Sequence, residues 1–292
     1  MKIALYSKAF QKGYEISVGS IMDKLHRCGA EVLIYAPFRD FLEGSGQVYS
    51  FDGVYTGHHD LPRDVDFLLS IGGDGTLLSS VSVVRDSMVP IAGINSGRLG
   101  FLSSISSFEA DRLIDDLQSG NYIFSDRSLL QLDNPWGIFQ TDFNCALNEV
   151  TLQKRGTPLM LTHVYCNGEF LNTYWSDGLI ISTPTGSTAY SMSVGGPIIM
   201  PQAEAFVISP ISPHNLNVRP MVIPNDSILE MKTESRTQRF ITTIDTLSEE
   251  TDCSREIKLS VAPFRIRLIE ASQGYFSTLR GKLMWGADKR TR

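Results

Sequence analysis

The 292-residue chain is short of the features that most quickly place a protein. Its four cysteines, Cys28, Cys145, Cys166 and Cys253, lie far apart with no C-x-x-C pair, which excludes a disulfide framework and a cysteine metal site. Scattered thiols of this kind read as reduced core residues of a cytoplasmic protein. There is no lysine- or arginine-rich run, and 26 basic against 32 acidic side chains leave a net charge of −6. That excludes a broad electrostatic footprint for nucleic acid. No apolar run approaches the roughly 18 residues a membrane helix needs, and the opening "KIALYS" reaches polar residues too soon for a signal peptide. The five histidines show no metal-ligand spacing; the adjacent pair His58-His59 reads as a solvated loop, and no protein metal site is expected. Internal repeats and low-complexity segments are absent.

What is present is an alternation of apolar strands and helices over the first 120 residues. "IALY" (3–6), "EVLIYA" (31–36), "VDFLLSI" (65–71) and "VPIAGI" (89–94) are strand-like runs. Val18, Ile21, Met22 and Leu25 recur at helical spacing before Gly29, and Leu77, Val81 and Val84 share one face of a second helix. Ser106-x-x-Glu109 is a capping box opening a helix that buries Leu113, Ile114 and Leu117 before Gly120. Near-continuous apolar strands alternating with helices predict a parallel sheet covered on both faces, a Rossmann-like α/β domain. After about residue 125 the rhythm becomes strand upon strand. "HVYCNGEFLNTYW" (163–175) contains the hairpin turn Asn167-Gly168, and "MVIPNDSILEMK" (221–232) repeats the idea with Asn225-Asp226. "EIKLSV" (256–261) and "FRIRLI" (264–269) alternate with period two. The expected organisation is an α/β domain over 1–125, possibly completed by the basic tail 272–292, and an antiparallel β-sandwich-like domain over 126–271.

"SIGGDGTLL" (70–78) puts an acid, Asp74, in a glycine-rich turn between strand and helix. The P-loop pattern is absent because no lysine follows the glycines, and the dinucleotide fingerprint fails because Leu78 stands where its third glycine belongs. Asp74 as a plain helix cap is the simplest reading, but Gly72, Gly73 and Gly75 together exceed what a cap needs. They suit backbone amides approaching a large anion. An acid beside that anion makes chemical sense if it accepts the proton of a hydroxyl that attacks the phosphate. The turn therefore points to phosphoryl transfer, with Asp74 as base and the amides around Gly72, Gly73 and Gly75 at the phosphate.

Two further stretches bear on the acceptor. "CALNEVTL" (145–152) sets Asn148 beside Glu149, an amide and an acid able to take vicinal hydroxyls; a polar turn at a strand end is the competing reading. "SDGLIISTPTGSTAYSMSVGGPII" (176–199) crowds small hydroxyl residues and glycines around Tyr190, permitting close backbone contact with a ligand and offering a ring for a base. A serine-nucleophile elbow is disfavoured, since "TGSTAY" lacks the second glycine of G-x-S-x-G.

"GGDGT" resembles the signature shared by NAD kinases, diacylglycerol and sphingosine kinases and, more loosely, phosphofructokinases. With Asn148-Glu149, the 176–199 block, "NSGRLGFL" (95–102) and "LRGKLMWG" (279–286), the chain resembles the NAD kinase family in the expected order over most of its length. The resemblance implies transfer of the ATP γ-phosphoryl group to the 2′-hydroxyl of the adenosine ribose of NAD, with magnesium delivered on ATP. It implies Asp74 as base, Gly72, Gly73, Gly75 and Thr76 on triphosphate or pyrophosphate, Phe101 in the nucleotide pocket, and Asn148 and Glu149 on ribose. Asp74, Gly75, Trp175, Asp177, Thr188, Ala189, Tyr190, Ser191, Met192 and Ser193 would also contact the dinucleotide. It implies a homodimer or homotetramer in which a neighbouring subunit can complete the acceptor pocket. The chain departs from the family at Trp175, where many bacterial members carry a basic residue, and at Leu247, where some carry a polar one near the ligand. The competing readings are a GGDGT-type lipid kinase, which should show a membrane-docking segment, and a non-catalytic NAD(H) sensor, which would give Asp74 no reason to be acidic.

Overall fold

The computed structural model describes residues 1–8, 14–97, 100–103, 105–134, 137–139, 141–270 and 274–285. Arg98, Leu99, Ser104 and the terminal residues 286–292, parts of two of the quoted motifs, lie outside the described residues. The chain forms two compact units. One comprises Met1–Asp126 together with Ile266–Arg292, the other Arg127–Arg265.

The first unit is built on an eight-stranded sheet. Its order is Gly53–Tyr55, Glu31–Tyr35, Lys2–Tyr6, Phe67–Gly72, Ile91–Asn95, Ile266–Ile269 and Phe124–Arg127, with Ile105–Ser106 pairing off the path beside Ile91–Asn95. The central strands run parallel. Val18, Ile21, Met22 and Leu25 of the helix Tyr14–Arg27 and Leu113, Ile114 and Leu117 of the helix Ala110–Ser119 are buried in one core with Ile3, Leu5, Leu69 and Ile94 of the strands. The capping box is formed: the Ser106 amide donates to Glu109 Oε2 at 3.0 Å, ahead of a single 3-10 turn leading into that helix. A helix over Ala36–Gly44, opened by Pro37 in its first turn, and the short strand Gly53–Tyr55 escape the sequence reading because neither carries a full period of apolar residues.

The second unit holds two six-stranded antiparallel sheets. One runs Met221–Pro224, Ala205–Ile211, Gly178–Ser182, Glu149–Lys154, Arg239–Ile244, Leu247–Asp252; the other runs Glu169–Ser176, Met160–Cys166, Leu229–Ser235, Ile257–Val261, Leu130–Asn134, Cys145–Ala146. Val150, Leu152, Ile181, Phe206 and Phe240 of the first meet Val164, Met231, Leu229 and Leu259 of the second in a shared core. Asn167 and Gly168 take left-handed φ values of 53° and 82°, as a two-residue hairpin between Met160–Cys166 and Glu169–Ser176 requires.

Two sequence expectations are corrected here. The Asn225-Asp226 turn does not close a hairpin: Met221–Pro224 lies at the edge of one sheet, while Leu229–Ser235 lies inside the other, so the turn carries the chain from layer to layer. The run "FRIRLI", expected in the β-rich region extending to 271, leaves it at Arg265. Ile266–Ile269 instead joins the parallel sheet beside Ile91–Asn95. Period-two alternation marks a strand but not the sheet that takes it.

Candidate functional site

In the first unit, the phosphate turn lies where the strand Phe67–Gly72 ends and the helix Asp74–Val84 begins, at the carboxyl edge of the parallel sheet where open α/β folds take ligands. Gly73 is the extended residue ahead of the helix and Asp74 its first helical residue, so Asp74 is not the cap. Its carboxylate turns to the segment after the strand Ile91–Asn95. Oδ2 accepts the amide of Phe101 at 2.8 Å, and Oδ1 accepts those of Leu102 at 3.1 Å and Ser103 at 2.8 Å. A carboxylate oxygen has room for about two donors, so Oδ1 is filled by these contacts and, among the described residues, Oδ2 keeps one open position.

The glycines around it divide by purpose. A Cβ on Gly100 would collide with the Asp74 carboxylate, and one on Gly72 would stand 2.7 Å from the Cβ of Thr76. Gly93 lets the backbone of Ser103 approach, a Cβ there falling 2.9 Å from the Ser103 Cα. These three are demanded by the fold. Gly73 and Gly75 are not: a Cβ on either meets nothing described within 4 Å, although glycine in a first helical turn costs stability. The same region gathers buried hydroxyls with no hydrogen-bond partner among the described residues, on Ser7, Ser70, Thr76, Ser96 and Ser103. Unpaired buried hydroxyls are costly and call for a partner. Phe101 is half-buried, with the Lys282 ammonium 6.0 Å from its ring centroid.

In the second unit, Asn148 and Glu149 stand at the start of the strand Glu149–Lys154, opposite the end of Gly178–Ser182, with Glu149 paired to Ser182. The strand Gly178–Ser182 runs into the turn Thr185–Thr188 and the short helix Tyr190–Ser193. Thr183 braces this junction: its amide donates to the Asn148 carbonyl at 2.9 Å and its hydroxyl to the Leu147 carbonyl at 2.6 Å. Gly186 lies against Asn148, where a Cβ would stand 2.7 Å from the Asn148 Cα. Gln153 Nε2 donates to the Tyr190 hydroxyl at 3.1 Å. Burial, and then the neighbouring Asp245 charge, push the Glu149 carboxyl up to about 8. Its Oε2 is buried and has no partner among the described residues. Burial also pushes Asp245 up to about 6, against the three backbone amides that bond it.

The hydroxyls of the 176–199 stretch are used differently from expectation. Ser187 donates to the Pro184 carbonyl at 2.7 Å and accepts the Ile199 amide at 2.9 Å; Thr188 donates to the Thr185 carbonyl at 3.2 Å; Ser191 shares a bond with Ser209 at 3.0 Å. They staple the turn to itself, leaving backbone, the half-buried Ala189, Tyr190 and Met192, and the exposed Ser193 as the surface this segment presents. Asp177 is not gathered with them. It lies at the far end of the strand Gly178–Ser182, five residues or roughly 16 Å along, in an ion pair of 2.6 Å with Lys154. Trp175, just before it, is half exposed. Sequence reasoning gave no role to Asp245, nor to Thr183 and Gly100, which lie inside quoted motifs but act on backbone groups or through close approach rather than as side chains aimed at a ligand.

Among the described residues no group of three or more His, Cys, Asp or Glu side chains could hold a metal, and no helix is long and apolar enough to cross a membrane. Two cavities of the first unit, about 350 Å³ beside Leu113 and Asn121 and about 690 Å³ beside His58 and Asp86, include none of the expected site residues.

Comparison with known proteins agrees with both halves. Residues 41–122 match the model of the ATP-NAD kinase N-terminal domain and residues 147–271 that of the ATP-NAD kinase C-terminal domain. The chain is 43% identical to the NAD kinase of Cytophaga hutchinsonii, over 99% of this chain and all of that one, and 39% identical to that of Flavobacterium psychrophilum over the same shares. Its fold resembles that of yeast NADH kinase in complex with NADH (TM-score 0.85, 24% identity, 100% of this chain and 90% of that one). It also resembles that of the Archaeoglobus fulgidus NAD kinase in complex with ATP (TM-score 0.74, 23% identity, 97% and 99%). By sequence along its whole length, this chain belongs to the NAD kinase family.

Proposed function

We propose that the chain transfers the γ-phosphoryl group of ATP to the 2′-hydroxyl of the adenosine ribose of NAD, giving NADP, with Asp74 receiving the proton. The observation that carries this assignment is the acceptor position on Asp74 Oδ2 left open among the described residues, beside Gly73 and Gly75, where a Cβ would meet no described atom within 4 Å. Gly72, Gly73, Gly75 and Thr76 would face phosphate oxygens, and the unpaired Thr76 hydroxyl supplies a donor. The O–H bond of the ribose breaks toward Oδ2 as its oxygen attacks phosphorus, and ADP leaves.

Asn148 and Glu149 take ribose hydroxyls, and the buried unpaired Oε2 of Glu149 supports that role. In the second unit the 188–193 segment would contact the remaining dinucleotide, with Ser191 contributing backbone only, since its hydroxyl is committed to Ser209. Asp177 and Trp175 lie too far along the strand to share one ribose with Glu149. They would meet another part of the dinucleotide, and the family resemblance is what motivates a homodimer or homotetramer. Magnesium arrives on ATP and neutralises triphosphate charge. The donor set fits that mode, Asp74 being the only carboxylate in the phosphate turn and already bonded by amides. The reaction belongs to the cytoplasm. The test is incubation of purified protein with Mg-ATP and NAD, the product being read by an NADP-specific dehydrogenase. Absence of ATP- and NAD-dependent NADP formation overturns the assignment.

A further inference from the structure

Thr183 bonds the carbonyls of the Asn148-Glu149 turn; its amides are held by a group nearly a hundred residues later in the chain. Asp245 Oδ2 accepts the amide of Leu147 at 2.8 Å; Oδ1 accepts those of Asn148 at 2.9 Å and Glu149 at 3.1 Å. The Asp245 amide returns a bond to the Glu149 carbonyl at 3.1 Å. Asp245 opens the two-residue hairpin loop between Arg239–Ile244 and Leu247–Asp252, with the left-handed φ of 48° that such a loop calls for. The first unit uses the same device, since Asp74 gathers the consecutive amides of Phe101, Leu102 and Ser103.

We propose that Asp245 is a positioning residue for the acceptor: by gathering the amides of Leu147, Asn148 and Glu149 onto one carboxylate it sets the direction in which Asn148 and Glu149 meet the ribose. The inference rests on the ribose assignment made above. Two consequences follow from the geometry. An amide in place of the carboxylate turns an N–H donor toward one of the three backbone donors, so Asp245→Asn opens the turn without creating a cavity. It also removes the negative charge nearest Glu149, the one titratable group that acts on that carboxyl through its charge.

Asp245→Asn is therefore expected to raise the KM for NAD at least tenfold while leaving the KM for ATP within twofold. The limb of log(kcat/KM) for NAD that reports Glu149 should move to lower pH by half a unit or more, because the neighbouring charge that raised it is gone. Thr242→Val, which cuts the buried 2.7 Å bond between Thr242 and Thr251 on adjacent strands, is the comparison for lost stability alone and should leave both the NAD KM and the pH limb in place. An Asp245→Asn enzyme with an unchanged NAD KM and an unmoved limb overturns the proposal. In the wild-type protein, the amide protons of Leu147, Asn148 and Glu149 should titrate together, with a midpoint near the Asp245 value of about 6. Three independent titrations overturn the proposal whether or not the variant folds. A KM rise shared equally by ATP and NAD, with the amides still titrating together, would keep the clamp and overturn the ribose assignment. A rise in Asn148→Ala but not in Asp245→Asn would overturn the clamp alone.

Discussion

Asp74 shows how one side chain can answer to two demands. Its carboxylate holds three amides of the 101–103 segment, and among the described residues one lone pair of Oδ2 stays open. Asp74→Asn is expected to reduce kcat by at least a hundredfold while NAD affinity stays within about tenfold, because proton acceptance is lost and binding surface is kept. Steady-state kinetics with NAD titration checks this, and retention of more than a few per cent of kcat counts against the base. Gly100→Ala reaches the same group without altering it: the new methyl would displace the carboxylate, and activity should fall at least tenfold. Glu149 adds a pH dependence whose sign is fixed. Its folded value, about 8, lies above the ordinary 4.5, so the folded chain binds the extra proton between those limits, and stability falls as pH rises through that window. Each pH unit there is worth up to about 1.4 kcal/mol. Glu149→Gln should gain melting temperature relative to wild type from pH 5 to pH 8. A difference that does not change over this range overturns the burial argument.

At the scale of an element, the first turn of the helix Asp74–Val84 holds a residue poorly suited to it. Gly75 lies in the first turn with open space where a side chain would go. Gly75→Ala is expected to stabilise the protein by about 0.5 kcal/mol and to raise the KM for ATP severalfold, because a methyl enters the space assigned to phosphate. Thermal melts and kinetics on the same preparation check both signs at once. The elements with a complete apolar period were legible in the sequence. Val18, Ile21, Met22 and Leu25 are buried as their spacing demands, and the Asn167-Gly168 hairpin forms as its dihedral needs demand. The Asn225-Asp226 turn failed as a hairpin for an equally physical reason: turn residues encode reversal of the chain, whereas the partner of each flanking strand is chosen by nonlocal packing.

Across the whole molecule, the chain enters the β-rich unit after Asp126 and returns at Ile266 to complete the sheet it began with. The returning strand lies between Ile91–Asn95 and Phe124–Arg127. Arg267 holds Asp126 through two bonds of 2.8 and 3.1 Å, with its guanidinium 4.8 Å from the Phe124 ring centroid. Removing 266–292 should therefore unfold the first unit, although the deletion is C-terminal to it by more than a hundred residues. The fragment 127–265, contiguous and with its own core, should fold alone. Circular dichroism melts of the two fragments check this; a cooperative transition for 1–265 equal to that of the full chain overturns it.

By itself the sequence determined whatever short-range periodicity and steric rules can encode: strand and helix identity, the glycine turn with its acid, and the paired amide and acid of the second motif. Each depends on residues within one turn or one strand of each other. Tertiary structure decided which sheet accepts Ile266–Ile269, that Asp74 binds the backbone of 101–103, and that Asp245 braces Asn148 and Glu149. These contacts join residues 29, 97 and more than a hundred positions apart through backbone amides. Every residue type but proline carries such an amide, so no pattern of side chains announces them.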